Sequence, residues 1–340
     1  MRDPERKMKK LINEPARYVD EMLEGLVAAF PDLSLGGESG RCVARSRPAR
    51  DGKVGIATGG GSGHLPLFTG YVGEGLLDAC AVGNVFEGPS VQSCIDAIKA
   101  ADRGAGVLCL YGNYGGDRMN FDMAGEMASA DGVECVTVLG ADDVASAAPD
   151  EAEKRRGVAG IVFLYKVAGA AAEAGRDLSE VAGVVRKAAE NTRSIGVALS
   201  PCRVPTASEP NFRIGDDEME VGMGIHGEPG ISRAPLATAD AVADIMYERL
   251  AAELPLRPGA RVAALVNGLG ATPLEELLIV WRQIARRLGQ AEVTPVNPMI
   301  GNYVTSMEMA GASLSLMVLD EELEALMAAP ASCPFWTVSP

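Results

Sequence analysis

Only two histidines occur in the 340 residues, and both sit among glycines. His64 closes "GGGSGH", and His226 stands inside "GMGIHGEPG". Imidazole has an ordinary pKa near neutrality, so one side chain type can serve as nucleophile, acid or base there. A third candidate, Asp117, ends "YGNYGGD". Glycine lacks a Cβ, which permits tight turns and lets a small ligand reach backbone N–H groups.

Each candidate also has a plainer reading. His64 reads as an exposed residue in a tight strand-to-helix turn. Its loop is no triphosphate cradle, because His64 and Leu65 stand where Lys and Ser or Thr are required. Pro66 and the lack of a correctly spaced acid spoil a dinucleotide fingerprint. Asp117 reads as the N-cap of a helix starting at Arg118, a role that would lower its pKa and weaken it as a base. Met119, Met123 and Met127 follow at helical spacing and read as core packing. Before His226, Met219, Val221, Met223 and Ile225 alternate. A continuing strand would place Glu218, Glu220, Gly222, Gly224 and His226 on the other face, with two glycines clearing space in front of the imidazole. Pro229 and Gly230 fit a type II turn. Asp216, Asp217 and Glu218 read as solvated, so His226 could be a turn residue beside an acidic stretch. All three candidates nevertheless follow predicted strands. Ligands of parallel α/β sheets bind at the carboxyl ends of strands, which favours one shared site.

The elements that must position them alternate. The pattern predicts a helix over 18–30, a strand entering the glycine run, and a strand at "LLDACAVG". A helix opened by Pro89, a strand at "AGVLCLYG", a helix over 118–132 closed by Gly132, and a strand at "VECVTVLG" come next. Two alanine-rich helices cover about 158–175 and 178–193. The second half predicts strands at "SIGVALSPCRVP", before His226, at "RVAALVNG" and at "SLSLMVLD", with helices over 237–253 and 274–288. "LPLRPGA" reads as a turn. Strands alternating with helices indicate α/β architecture. The length favours two α/β domains, divided near Asn191 to Ser194: 8–192 carrying His64 and Asp117, and 193–340 carrying His226.

Net charge is −15, which argues against a nucleic-acid groove and leaves a small ligand open. Seven cysteines lack CxxC spacing, and neither histidine neighbours a cysteine pair. They read as buried free thiols of a reducing cytosol, without a metal site; Cys80, Cys94, Cys109 and Cys135 lie in or beside apolar segments. The charged N-terminus is no signal peptide, and the longest apolar run, interrupted by Lys166, is too short to span a membrane. A cytoplasmic protein is expected.

"GGGSGH", "GNYGGDRMNF", "GMGIHGEPG" and "LVNGLGATPLEEL" together resemble the substrate-binding K subunit of dihydroxyacetone kinases. The resemblance runs from Met8 to "CPFW" and leaves residues 1–7 as an extension. It implies two α/β domains with the active site at their junction. It also implies that His226 captures the ketone carbon as a covalent hemiaminal, with His64 and Asp117 as acid–base residues. Gly61, Ser62 and Gly63 would line the substrate, and Gly112 would border it. The phosphoryl donor, ATP or a held ADP with Mg, is expected on a separate L-type subunit, so this chain alone should not turn over ATP. A homodimer is expected. Leu65 and Gly112 depart from the Glu and Lys of well-studied members, and the connection over 254–260 is short. A smaller, less polar lining is therefore expected to admit a larger ketose such as erythrulose. The same fold also includes non-catalytic dihydroxyacetone-binding transcriptional coregulators. Retention of all three candidates favours catalysis over that alternative.

Overall fold

The computed structural model describes residues 9–339, so the expected extension over 1–7 lies outside the described residues. The first half runs α1 (Tyr18–Ala29), β1 (Leu33–Gly36), β2 (Cys42–Arg45), β3 (Gly55–Ser62), β4 (Ala79–Val85), α2 (Val91–Ala101), β5 (Val107–Gly112), α3 (Gly115–Ala130), β6 (Cys135–Gly140), α4 (Ile161–Glu173) and α5 (Leu178–Glu190). The second runs β7 (Thr192–Ala198), β8 (Glu218–Val221), β9 (Ser232–Pro235), α6 (Ala239–Ala251), β10 (Arg261–Gly268), α7 (Leu274–Gln290), β11 (Thr294–Gly301), β12 (Gly311–Leu319), α8 (Glu321–Ala328), β13 (Ala331–Cys333) and β14 (Trp336–Val338).

Two six-stranded sheets result, ordered β1-β2-β4-β3-β5-β6 and β11-β10-β12-β7-β8-β9. In the first, β4, β3, β5 and β6 are parallel, and β2 runs antiparallel to β1 and β4. In the second, only β10 and β11 pair in parallel; every other pairing is antiparallel.

Side-chain alternation along each strand explains the layering. In β3, Ile56 faces a core shared with α1, α4, α5 and α8, whereas Ala57 faces α2 and α3. In β10, Ala263 and Leu265 join that same shared core, whereas Val262, Ala264 and Val266 face α6 and α7. One helical layer therefore lies between the two sheets. That position explains the near-continuous burial of α4, from Ile161 to Ala172. Its Lys166 is buried and donates to the Leu326 carbonyl of α8 at 2.7 Å. The last segment returns to the first half, where Glu74 and Ser332 form a β-bridge.

Two expectations need correction here. Met119, Met123 and Met127 are 63%, 49% and 51% exposed. The helix α3 packs through Phe121, Ala124 and Ala128 instead, a different stripe of the same periodicity. Among the cysteines, Cys80, Cys94 and Cys109 are buried, but Cys135 is only half-buried; all seven are free.

No helix among the described residues is long and apolar enough to cross a membrane. No group of three or more His, Cys, Asp or Glu among them is placed to hold a metal ion.

Candidate active site

Strand β3 does not stop at the glycine run. It continues through Gly59, Gly60 and Gly61 to Ser62. The glycines are there because neighbours cross close to the strand. A Cβ on Gly60 would come within 2.1 Å of the Phe68 ring, and one on Gly61 within 2.8 Å of the Glu87 nitrogen. The turn falls at Gly63, whose φ of +99° suits glycine. His64 is not exposed as the turn reading expected; it is 1% accessible. Segment 305–307 from the second half covers it: Thr305 N–H donates to the His64 carbonyl at 3.2 Å and Met307 N–H to that of Gly63 at 2.8 Å. The His64 Nδ1 lies 2.7 Å from the Thr305 carbonyl. A carbonyl only accepts, so Nδ1 carries the proton and Nε2 carries the lone pair. Nε2 is buried without a partner. Burial, helped by the nearby His226, lowers the His64 pKa to about 3.

Asp117 is the third residue of α3, whose N-cap is Tyr114. The expected N-cap role is therefore wrong. Gly115 and Gly116 extend the helix one turn earlier, and the Asp117 Oδ1 is left buried without a partner. Burial raises its pKa to about 6, with His226 opposing. The direction is opposite to the one a cap would give.

Around His226 the strand ends early. β8 stops at Val221, and Gly222 takes φ of +82°, so the alternation does not reach the histidine. The space at Gly224 is also not left for a ligand. A Cβ there would lie 2.1 Å from the Glu228 Oε2 and 2.6 Å from an Arg156 nitrogen. Asp216, Asp217 and Glu218 are exposed, but Glu220 is buried, accepting from Arg233 at 2.8 Å and from Gly230 N–H at 3.0 Å. The His226 Nδ1 sits 2.8 Å from the Glu228 Oε1. Burial would raise the Glu228 carboxyl, but its bonds and charge contact with His226, with Arg156 adding, outweigh burial and bring it to about 2. An ionised carboxylate accepts, so in the neutral ring Nδ1–H donates and Nε2 carries the lone pair.

The imidazole of His226 lies edge-on to that of His64, with centroids 4.9 Å apart. Tyr114 and Phe86 border it at 4.9 and 5.4 Å, and Phe86 also stacks on His64 at 4.9 Å. Gly61, Gly112, Asp117 and His226 line one small cavity with Phe68 and Tyr114. Ser62, Gly63 and His64 do not line it but line a neighbouring cavity that shares Gly61, Leu67 and Phe68 with it; the Ser62 hydroxyl donates to the Gly83 carbonyl at 2.8 Å. Leu65 does not line it either. A Cβ on Gly112 would come 3.1 Å from the Tyr114 ring, whose hydroxyl donates to Gly157. Tyr114 thus occupies the room that the missing side chain leaves. Of the two departing positions, Gly112 lines this cavity and Leu65 the neighbouring one.

Sequence reading passed over Glu228, Phe86 and Thr305. Glu228 had a signal, since a carboxylate two residues beyond His226 can reach back to it, but only the Pro229–Gly230 turn was read there. Thr305 is 241 residues from His64, and no local pattern marks that contact. Chemically, the cavity offers the His226 imidazole and a carboxylate tuned toward neutrality, with the His64 ring beside them against His226.

A family model described as the Dak1 domain matches residues 24–335. The dihydroxyacetone-binding subunit DhaK of the PTS-dependent dihydroxyacetone kinase 1 of Listeria innocua is 44% identical over 93% of this chain and 95% of its own length. L-erythrulose kinase of Pectobacterium atrosepticum is also 44% identical, over 96% of this chain but 56% of its own length. The crystal structure of the dihydroxyacetone kinase of C. freundii matches with a TM-score of 0.88 at 33% identity, covering 97% of this chain and 60% of that one. The structure of the dihydroxyacetone kinase operon co-activator Dha-DhaQ matches with a TM-score of 0.87 at 29% identity, covering 95% of this chain and 99% of that one. The chain therefore spans little more than half the length of some of these kinases and nearly all of other relatives.

Proposed function

This chain belongs to the Dak1 domain family, and on that premise we propose that it is the ketose-binding part of a dihydroxyacetone-type kinase, a phosphotransferase with an alcohol acceptor. The observation that carries this reading is the pairing of nitrogens. Glu228 holds the His226 Nδ1, which leaves the lone pair of Nε2 free beside two buried, unpartnered acid–base atoms, His64 Nε2 and Asp117 Oδ1.

The His226 Nε2 attacks the ketone carbon, and the C=O π pair moves to oxygen. Nδ1 gives its proton through Glu228 to solvent, and the oxygen takes one from solvent through His64 Nε2, so a neutral imidazole and a ketone give a neutral hemiaminal. Glu228 stabilises the imidazolium that forms in between. His64 relays the proton at Nε2; burial makes its cation a strong acid that holds a proton only in passing. Asp117 then accepts the proton of the terminal hydroxyl as phosphate is transferred. The tether orients that hydroxyl and rejects glycerol, which has no carbonyl.

A nucleotide-bearing L-type partner would supply ATP, or ADP with Mg, because the glycine run of β3 is filled by Phe68 and the 86–87 backbone rather than open to phosphates. Relatives named for dihydroxyacetone and for erythrulose are equally similar, so either ketose fits this reading. We read the protein as cytoplasmic, in keeping with its seven free cysteines. Self-association into a homodimer is supported by the exposed Leu236, Leu274, Leu278 and Ile279 beside a groove between α6 and α7. The division into N- and C-terminal domains near Asn191 is part of the same reading, with β7 opening the second sheet at Thr192.

Native mass spectrometry tests it. With dihydroxyacetone or erythrulose the protein should gain the full mass of one ketose with no water lost. Glycerol should add nothing, and His226→Ala should abolish the gain. A ketose mass retained in that variant would reject the assignment.

A further inference from the structure

We propose that Glu228, Arg156 and Asp143 form a positioning relay that fixes the tautomer and angle of the His226 ring, so that Nε2 faces the cavity; this rests on His226 being the ketose nucleophile. Glu228 grips one residue at two points. Its Oε1 takes the ring Nδ1–H at 2.8 Å, and its Oε2 takes the His226 backbone N–H at 3.0 Å. Ring and backbone are thus referred to one rigid carboxylate, which removes the freedom to flip the ring or exchange tautomers.

The carboxylate is held in turn. Arg156 lies 4.0 Å from the Glu228 Oε2. It is itself tied to the Asp143 Oδ2, through Nε at 2.9 Å and Nη2 at 2.8 Å, and Nη2 also donates to the Gly222 carbonyl at 3.1 Å. Asp143 is buried, and its other oxygen accepts from Ala145 N–H at 3.0 Å. Asp143 follows β6 of the first sheet, whereas Glu228 follows β8 of the second. Arg156 therefore transmits the placement of one sheet to the nucleophile of the other. Gly224 is the geometric requirement, since any Cβ there would collide with both Glu228 and Arg156. The carbonyls around the ring are also committed: Asn211 donates to that of His226 at 2.9 Å, and the Ser306 hydroxyl donates to that of Ile225. The loop has few alternatives to the observed pose.

The test combines ketose-adduct affinity by native mass spectrometry with nitrogen-15 NMR of the His226 ring. Glu228→Gln keeps the volume, yet its amide can donate to Nδ1 and so favour the wrong tautomer. We expect adduct affinity to fall at least tenfold and the Nδ1–H tautomer to lose its dominance. Gly224→Ala keeps every charge and should reproduce the loss by displacing the carboxylate. Arg156→Met should weaken the adduct several-fold, and combining it with Glu228→Gln should cost less than the sum, as expected for one pathway. If wild type shows no adduct on His226, the parent reading fails. If wild type forms it and Glu228→Gln matches wild type in affinity and tautomer, the relay alone is overturned. Strict additivity would remove Arg156 from it.

Discussion

Replacing Asp117 with Asn should make the protein more stable and less active at once. The reason lies in a carboxylate held at about 6 by burial, against an ordinary 3.8. At about 1.4 kcal/mol for each factor of ten, that difference amounts to about 3 kcal/mol of ionisation penalty. The raised value belongs to the folded state, so the unfolded chain gives up this proton first as pH rises. Below pH 3.8 both states are protonated and the penalty is absent; it grows through this window and is complete above about pH 6. Asn carries no such penalty. The variant should therefore gain on wild type by about 1–3 kcal/mol near neutrality, allowing for partial solvent access. For a chain of this length that corresponds to about 1–4 °C in Tm. The gain should shrink to nothing at about pH 3.5. Thermal unfolding of both proteins across that pH range measures it. With the nucleotide-bearing partner added, phosphoryl transfer should fall by about 10²–10⁴, the usual worth of a general base, while the ketose adduct persists. A stability difference that does not change with pH would refute the buried-carboxylate reasoning. Undiminished transfer would refute the role as base.

Three further outcomes follow from particular contacts. Ser62→Ala should cost about 1 kcal/mol in urea unfolding, because the Gly83 carbonyl loses its donor, and should leave the ketose adduct unchanged; a lost adduct would place Ser62 at the substrate after all. Arg155 is fully buried and bonds Glu253 through two nitrogens at 2.6 and 2.8 Å. Arg155→Met should therefore destabilise by about 1.5–3 kcal/mol, by removing two charged hydrogen bonds to a Glu253 that keeps Arg193 at 3.1 Å, and a loss below about 1 kcal/mol would contradict this. On the proposal that this face joins two copies, Leu236→Lys with Ile279→Lys should halve the mass found by light scattering, and an unchanged mass would reject the proposal for this face.

The sequence by itself determined most of the elements and the identity of the three candidates. Periodicity placed the strand at Arg261–Gly268, the helix starting at Leu274 and the two helices around Ile161 and Leu178, because burial of one face imposes a repeat that any window shows. Short or exposed edge strands such as β1, β9 and β11 left no such trace and were not anticipated. Chemistry at the site was less legible. Histidine is rare in this chain, so composition singled out His64 and His226, yet which ring nitrogen donates depends on Thr305 and Glu228. Asp117 illustrates the difference. A helix expected from Arg118 suggests a cap, but the helix begins one turn earlier and the carboxylate lines the cavity, its Oδ1 without a donor. Local patterns record what a residue does with its chain neighbours. Burial, which sets the direction of the His64 and Asp117 shifts, depends on atoms distant in the chain, and only the tertiary structure decides that.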